Sequence, residues 1–221
     1  MRSYDQFCPL ASALDLVGER WTLLIVRELG LRPSRYSDLH DALPSIATNL
    51  LAERLRSLSA NGIVAARTLP APSTSTVYEL TPWGSELYDV LLRLGRWGAR
   101  TLLAPTADRT FRARYVIPVV QSVYGLDADL DGVEPITVRV DGGGESARIQ
   151  ISSSGVDATI ETAANVVDDH DVLIDGDPLT TVGLLAGVID PKHAPDAFHA
   201  TAAATRRWRA LTKRGTQPSL S

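Results

Sequence analysis

The strongest constraint on this chain lies between Cys8 and Gly62, where apolar residues recur at helical spacing in short runs, each closed by glycine or proline. Leu10, Leu14, Val17, Trp21, Leu24 and Ile25 follow the three-and-four step of one helical face. Gly18 interrupts them, so the spacing predicts two helices, about 10–17 and 20–30, the second stopped by Gly30 and Pro33. In RYSDLHDAL a further short helix is expected. Ser37 is its N-cap, Asp38 is favourable in its first turn, and Pro44 ends it.

The next run, TNLLAERLRSLSAN over 48–61, ends at Gly62, a natural left-handed terminator. Leu51, Leu55 and Leu58 form its apolar stripe, with Leu50 at the margin. The opposite face carries Asn49, Ala52, Glu53 and Arg56, with Thr48 in the first turn. Such a face is either a solvated helix surface or a set of side chains for a DNA major groove. In the second case Asn49 suits adenine, Arg56 guanine or phosphate, and Glu53 the amino group of cytosine. IVAARTL and VYEL read as strands joined by PAPSTST, a hairpin with a long tip. Helix, turn, helix and hairpin is the winged-helix order. A helix over about 82–103 closes the segment, and Trp21, Leu91, Leu94 and Trp97 are assigned to the core or to a seam between two copies.

These motifs, CPLASALDLVGERWTLLIVREL, RYSDL, LLAERLRSLSANGIV and VYELTPWG, resemble the HxlR-type winged-helix transcriptional regulators, relatives of the MarR group, over about Cys8 to Trp97. The resemblance implies a homodimer on a palindromic operator in double-stranded DNA, with half-sites about 34 Å apart. It makes the helix from Thr48 the recognition helix, the hairpin at 67–80 the wing, and the first helix and the one after TPWG the dimer interface. Arg35 and Arg67 become phosphate candidates beside Ser37, Thr48, Asn49, Ala52, Glu53 and Arg56. The Cys-Pro position implies a redox role for Cys8, as partner disulfide or mixed disulfide, against the alternative of a small buried residue. Three departures weaken phosphate attraction or local stability. Ala47 stands where the family has a capping Ser, with Ser45 or Thr48 as substitutes; the wing tip lacks Lys and Arg between Pro70 and Thr76; and Trp83 replaces a common Lys. Affinity is therefore expected to be modest and steeply salt-dependent.

Charge divides the chain. Residues 1–100 carry about +1, residues 105–200 about −10 and the last 21 about +5. A net charge of −4 means that any DNA contact must come from local arginines. One cysteine excludes an intramolecular disulfide framework, and no apolar run has signal-peptide or membrane-span character, so a cytoplasmic protein without membrane association is expected.

Beyond Pro105 the pattern changes. A helix around Phe111–Tyr124 precedes the alternating runs ITVRV, ARIQI and VDATIE, an antiparallel meander punctuated by Gly142–Gly144 and by Ser154–Gly155. VLID adds a candidate fourth strand. Asp177–Pro178 opens a helix carrying Leu179, Val182, Leu185, Ala186 and Ile189, and an Ala-rich helix spans about 195–213. DVLIDGDPLTTVGLLAGVIDP makes this half resemble the sterol-carrier-protein-type fold, which implies a lipophilic cavity and a small apolar effector; the alternative is a filled, structural domain. Neither the three glycines nor DDHD at 168–171 has the partners of a phosphate loop or metal site, and no catalytic arrangement, metal or cofactor is expected.

The expected fold is mostly α with a small β-hairpin wing (a winged helix-turn-helix) over 1–105. A small α+β domain with an antiparallel sheet follows over 106–213, and then a flexible tail over 214–221. The expected function is a dimeric, sequence-specific transcriptional regulator, a repressor. The competing expectation is a lipid carrier whose winged-helix half mediates protein contacts.

Overall fold

Helix α1 (Pro9–Val17) starts where proline costs nothing, because the first helical N–H has no partner in any case. Gly18 ends it; a side chain there would meet the Leu14 carbonyl at 2.6 Å. The computed structural model describes residues 3–70, 74–103, 110–126, 128–162, 165 and 168–215, and the chain forms two compact units, Met1–Leu91 and Leu92–Ser221. The wing tip at 71–73 and the tail from 216 lie outside the described residues.

In the first unit α2 (Thr22–Leu31) runs through Gly30 and stops at Arg32, which is extended ahead of Pro33. Gly30 therefore does not end the helix. A Cβ there would lie 2.2 Å from the ring of Tyr88, so the glycine makes room for a buried aromatic. Strand β1 (Ser34–Arg35) leads into α3 (Tyr36–Ala42). Ser37 is not its cap but lies inside the helix; Asp38 instead reaches back, its Oδ2 accepting from the Arg35 N–H at 3.0 Å. Helix α4 (Thr48–Ala60) ends before Gly62, whose φ of +71° only glycine adopts cheaply. Strands β2 (Val64–Thr68) and β3 (Thr76–Leu80) pair antiparallel, and β1 joins on the far side in the order β1-β3-β2. Helix α5 (Pro82–Gly98) follows and continues as a 3-10 turn over Ala99–Leu103.

Leu51, Leu55 and Leu58 of α4 are at most 1% exposed and pack in a core with Ile25, Val26, Leu39 and Val64. Each buried leucine contributes about 1.5–3 kcal/mol. Other apolar residues face outward. On α1 these are Leu10 and Leu14, and on α5 they are Trp83, Val90, Leu94 and Trp97, while Trp21 and Leu91 are half-buried. The helical period alone does not say which apolar face meets the chain's own core, and here that face of α5 is Gly84, Tyr88 and Leu92.

In the second unit, beyond α5, a 3-10 turn (Ala113–Tyr115), α6 (Val116–Val120) and a π turn (Gln121–Gly125) stand in place of one regular helix. Strands β4 (Ile136–Gly142), β5 (Glu145–Ser152) and β6 (Gly155–Glu161) form the antiparallel meander. The sheet as a whole is mixed rather than antiparallel, because β7 (Val172–Ile174) lies parallel to β4. A fifth strand, β8 (Phe198–Ala200), completes the order β6-β5-β4-β7-β8. That strand occupies the start of the expected Ala-rich helix, so α8 spans Ala202–Gly215 instead.

Helix α7 (Pro178–Leu185) is capped by Asp177, whose carboxylate accepts from the Leu179 and Thr180 N–H groups; hydrogen bonding from the Thr180 side chain, then from these backbone groups, holds its carboxyl below the ordinary range. Thr181, Leu184 and Leu185 face inward, whereas Leu179 is exposed, so the buried stripe is rotated from the expected one. Tyr124 donates to the Leu185 carbonyl at 2.9 Å. Trp208 of α8 is buried against Phe198, the register partner of Ile174. This unit is an α+β domain.

Candidate nucleic-acid interface

Helix α4 buries one side and leaves Thr48, Asn49, Glu53 and Arg56 exposed on the other, with Ala52 half-buried. Arg56 makes no ion pair among the described residues. Glu53 accepts from Arg54 at 2.9 Å, and Arg54 also binds Glu19 at 3.0 Å. Only 12% of the Arg54 side chain is exposed, which places it in the body of the unit rather than in a groove.

The missing cap at the start of α4 is visible as such: Ala47 offers no side-chain acceptor. Ser45 and Thr48 do not replace it as N-cap; the Thr48 hydroxyl instead lies 3.5 Å from His40 Nε2. Asn49 turns its Oδ1 to the Leu50 N–H at 3.0 Å, leaving the amide nitrogen able to donate outward. Tyr36 donates its hydroxyl to the Thr48 carbonyl at 2.6 Å. Sequence reading missed Tyr36 and His40. Their spacing of four on α3 would have marked a shared face, but nothing local identifies what that face touches.

Arg35 and Ser37 are exposed at the start of α3. Arg35 sits at the end of β1, opposite Val77 of the wing, so one strand links α3 to the hairpin. Arg67 is exposed, yet its guanidinium grips Glu79 with Nε at 3.2 Å from both carboxylate oxygens. The hydrogen bonds to Glu79, and then its charge, hold Arg67 above its ordinary range. The wing base therefore offers phosphate a neutralised pair rather than a bare cation. Cys8 is half-buried at the N-cap position of α1.

In the second unit the three carboxylates of DDHD pair with arginines. Asp168 lies 3.9 Å from Arg139, Asp169 3.2 Å from Arg148, and Asp171 pairs with Arg207. Among the described residues no group of three or more His, Cys, Asp and Glu side chains is placed to hold a metal ion, and no helix is long and apolar enough to cross a membrane.

Four helices, α1 to α4, the last exposing its polar face, followed by a hairpin that β1 extends to a three-stranded antiparallel sheet, define a winged helix-turn-helix protein. Residues 16–105 match the family described as HxlR-like helix-turn-helix. The HTH-type transcriptional regulator YodB of Bacillus subtilis (strain 168) is 36% identical over 94 residues, which is 42% of this chain and 84% of that protein. The uncharacterized HTH-type transcriptional regulator YtfH of Escherichia coli (strain K12) is 29% identical over 110 residues, covering 50% of this chain and 87% of YtfH. Among solved structures, the reduced form of YodB from B. subtilis aligns with 34% sequence identity and a TM-score of 0.39, over 43% of this chain and 94% of that one. The chain belongs to the HxlR-like helix-turn-helix family.

Proposed function

We propose that the chain is a homodimeric, sequence-specific DNA-binding transcriptional regulator, a repressor, that inserts α4 into the major groove of a palindromic operator. The observation that carries this reading is the exposed face of α4, with Asn49 and an Arg56 that is unpaired among the described residues, on a helix anchored by three buried leucines. Asn49, Glu53 and Arg56 read base edges, with Ala52 in apolar contact; Arg35, Ser37, Thr48 and Arg67 lie along the phosphates. Residues 1–105 form the DNA-binding and dimerisation domain. Residues 106–213 form a sterol-carrier-protein-type domain in which a small lipophilic effector favours one spacing of the two recognition helices.

The test is selection of bound duplexes from randomised DNA, followed by fluorescence anisotropy at several salt concentrations. A selected palindrome bound about a thousandfold more tightly than random duplex is the expected result. Failure to enrich any sequence would sink the reading and promote the lipid-carrier alternative.

A second reading, that DNA binding responds to oxidation, is favoured by the position of Cys8, half-buried at the N-cap of α1 and so open to an oxidant. Two Cys8 thiols of a dimer would lose two protons and two electrons to an added oxidant such as diamide and form one intersubunit disulfide. Diamide is expected to change operator affinity by at least about fivefold in the wild type and not in Cys8→Ser. An equal response in both proteins would exclude Cys8 as the sensor.

A further inference from the structure

We infer that Tyr36 is a positioning residue for sequence recognition: its hydroxyl, not an N-cap, sets where the first turn of α4 stands. This rests on the DNA-binding reading above. Helix α4 follows Ala47, an N-cap residue without a side-chain acceptor, so its first turn lacks the usual local bond that fixes its direction. The Tyr36 hydroxyl supplies a fixed point from twelve residues away, donating to the carbonyl of Thr48 at 2.6 Å. One turn further along α3, His40 Nε2 lies 3.5 Å from the Thr48 hydroxyl. Two residues on one face of α3 thus hold Thr48 by its backbone and by its side chain, immediately before Asn49.

The location gives the bond its consequence. Tyr36 directly follows Arg35, which pairs with Val77 of β3, so the tether joins wing sheet, α3 and α4 at one residue. Base-edge contacts require side chains held within about 0.5 Å of their working geometry, whereas sequence-independent phosphate attraction tolerates more movement. Loss of the hydroxyl therefore lowers discrimination between DNA sequences more than it lowers attraction to DNA in general. A phenylalanine keeps the ring and its packing and removes only the donor.

The experiment compares wild type with Tyr36→Phe on a duplex selected by the wild type and on random duplex, at fixed salt. Amide exchange of residues 48–52 is followed in the free protein. The variant is expected to bind the selected duplex about three- to tenfold more weakly, with random-duplex affinity unchanged and with faster exchange confined to the start of α4. A specificity ratio kept within about twofold would overturn the tether while leaving DNA recognition intact. Equal losses on both duplexes, with exchange raised throughout the first unit, would make Tyr36 a general stability residue and overturn it as well. If the wild type enriches no sequence, DNA recognition fails first and the tether's role in it falls too.

Discussion

Replacing Asn49 and Arg56 together by alanine is expected to weaken binding to the selected duplex by about 10²- to 10⁴-fold, because each well-made base contact contributes about 1–3 kcal/mol of discrimination. The fold should not notice. Both side chains are exposed, and among the described residues Arg56 is unpaired and Asn49 bonds only to the neighbouring Leu50 N–H. Thermal unfolding of the double variant should therefore match the wild type, which separates lost recognition from lost structure. The single variants divide the roles. If Arg56 reads a base, Arg56→Ala relaxes preference at one position and leaves the salt slope alone. If it meets phosphate, affinity falls on all sequences and the slope drops by about one. Unchanged binding by the double variant would remove α4 from the interface.

The second large effect concerns assembly. Val90, Leu94 and Trp97 follow a four-and-three step along one face of α5, and Leu94 and Trp97 are 48% and 71% exposed. An apolar stripe open to water is destabilising unless something covers it, and in the dimer reading a second copy does. Leu94→Asp with Trp97→Asp should convert the protein to monomers in sedimentation. Operator affinity should fall by about 10²- to 10⁴-fold, since two half-sites then have to be occupied independently. The monomer should remain folded, because neither side chain is part of the buried core. A double variant that still sediments as a dimer would move the interface elsewhere; Leu10 and Leu14, the exposed pair on α1, are then the next to change.

Much of the candidate site was legible in the residues. The leucine stripe of α4 follows from spacing alone, and so does the opposite face with Asn49 and Arg56. The absence of a cap at Ala47 was also readable, but what compensates for it was not. Tyr36 reaches Thr48 across a turn that no local rule connects, and Arg67, legible as a cation, is held by Glu79 of the facing strand. Arg54 turned inward to Glu19, 35 residues away in sequence.

The amino-acid sequence by itself determined the elements whose signals are local: the helices of the first unit, the β2–β3 hairpin, the β4–β6 meander and the Asp177 cap. Periodicity, glycine terminators and capping chemistry act within a few residues, so they are written in the chain. Tertiary structure alone decided the two- and three-residue strands β1 and β8, the parallel placement of β7, and that Arg54 and Arg67 pair with carboxylates. Such short strands carry no period, and ion pairing depends on neighbours brought together by folding. Their stabilisation comes from hydrogen bonds and charges supplied by distant segments, which exist only once the chain has closed on itself.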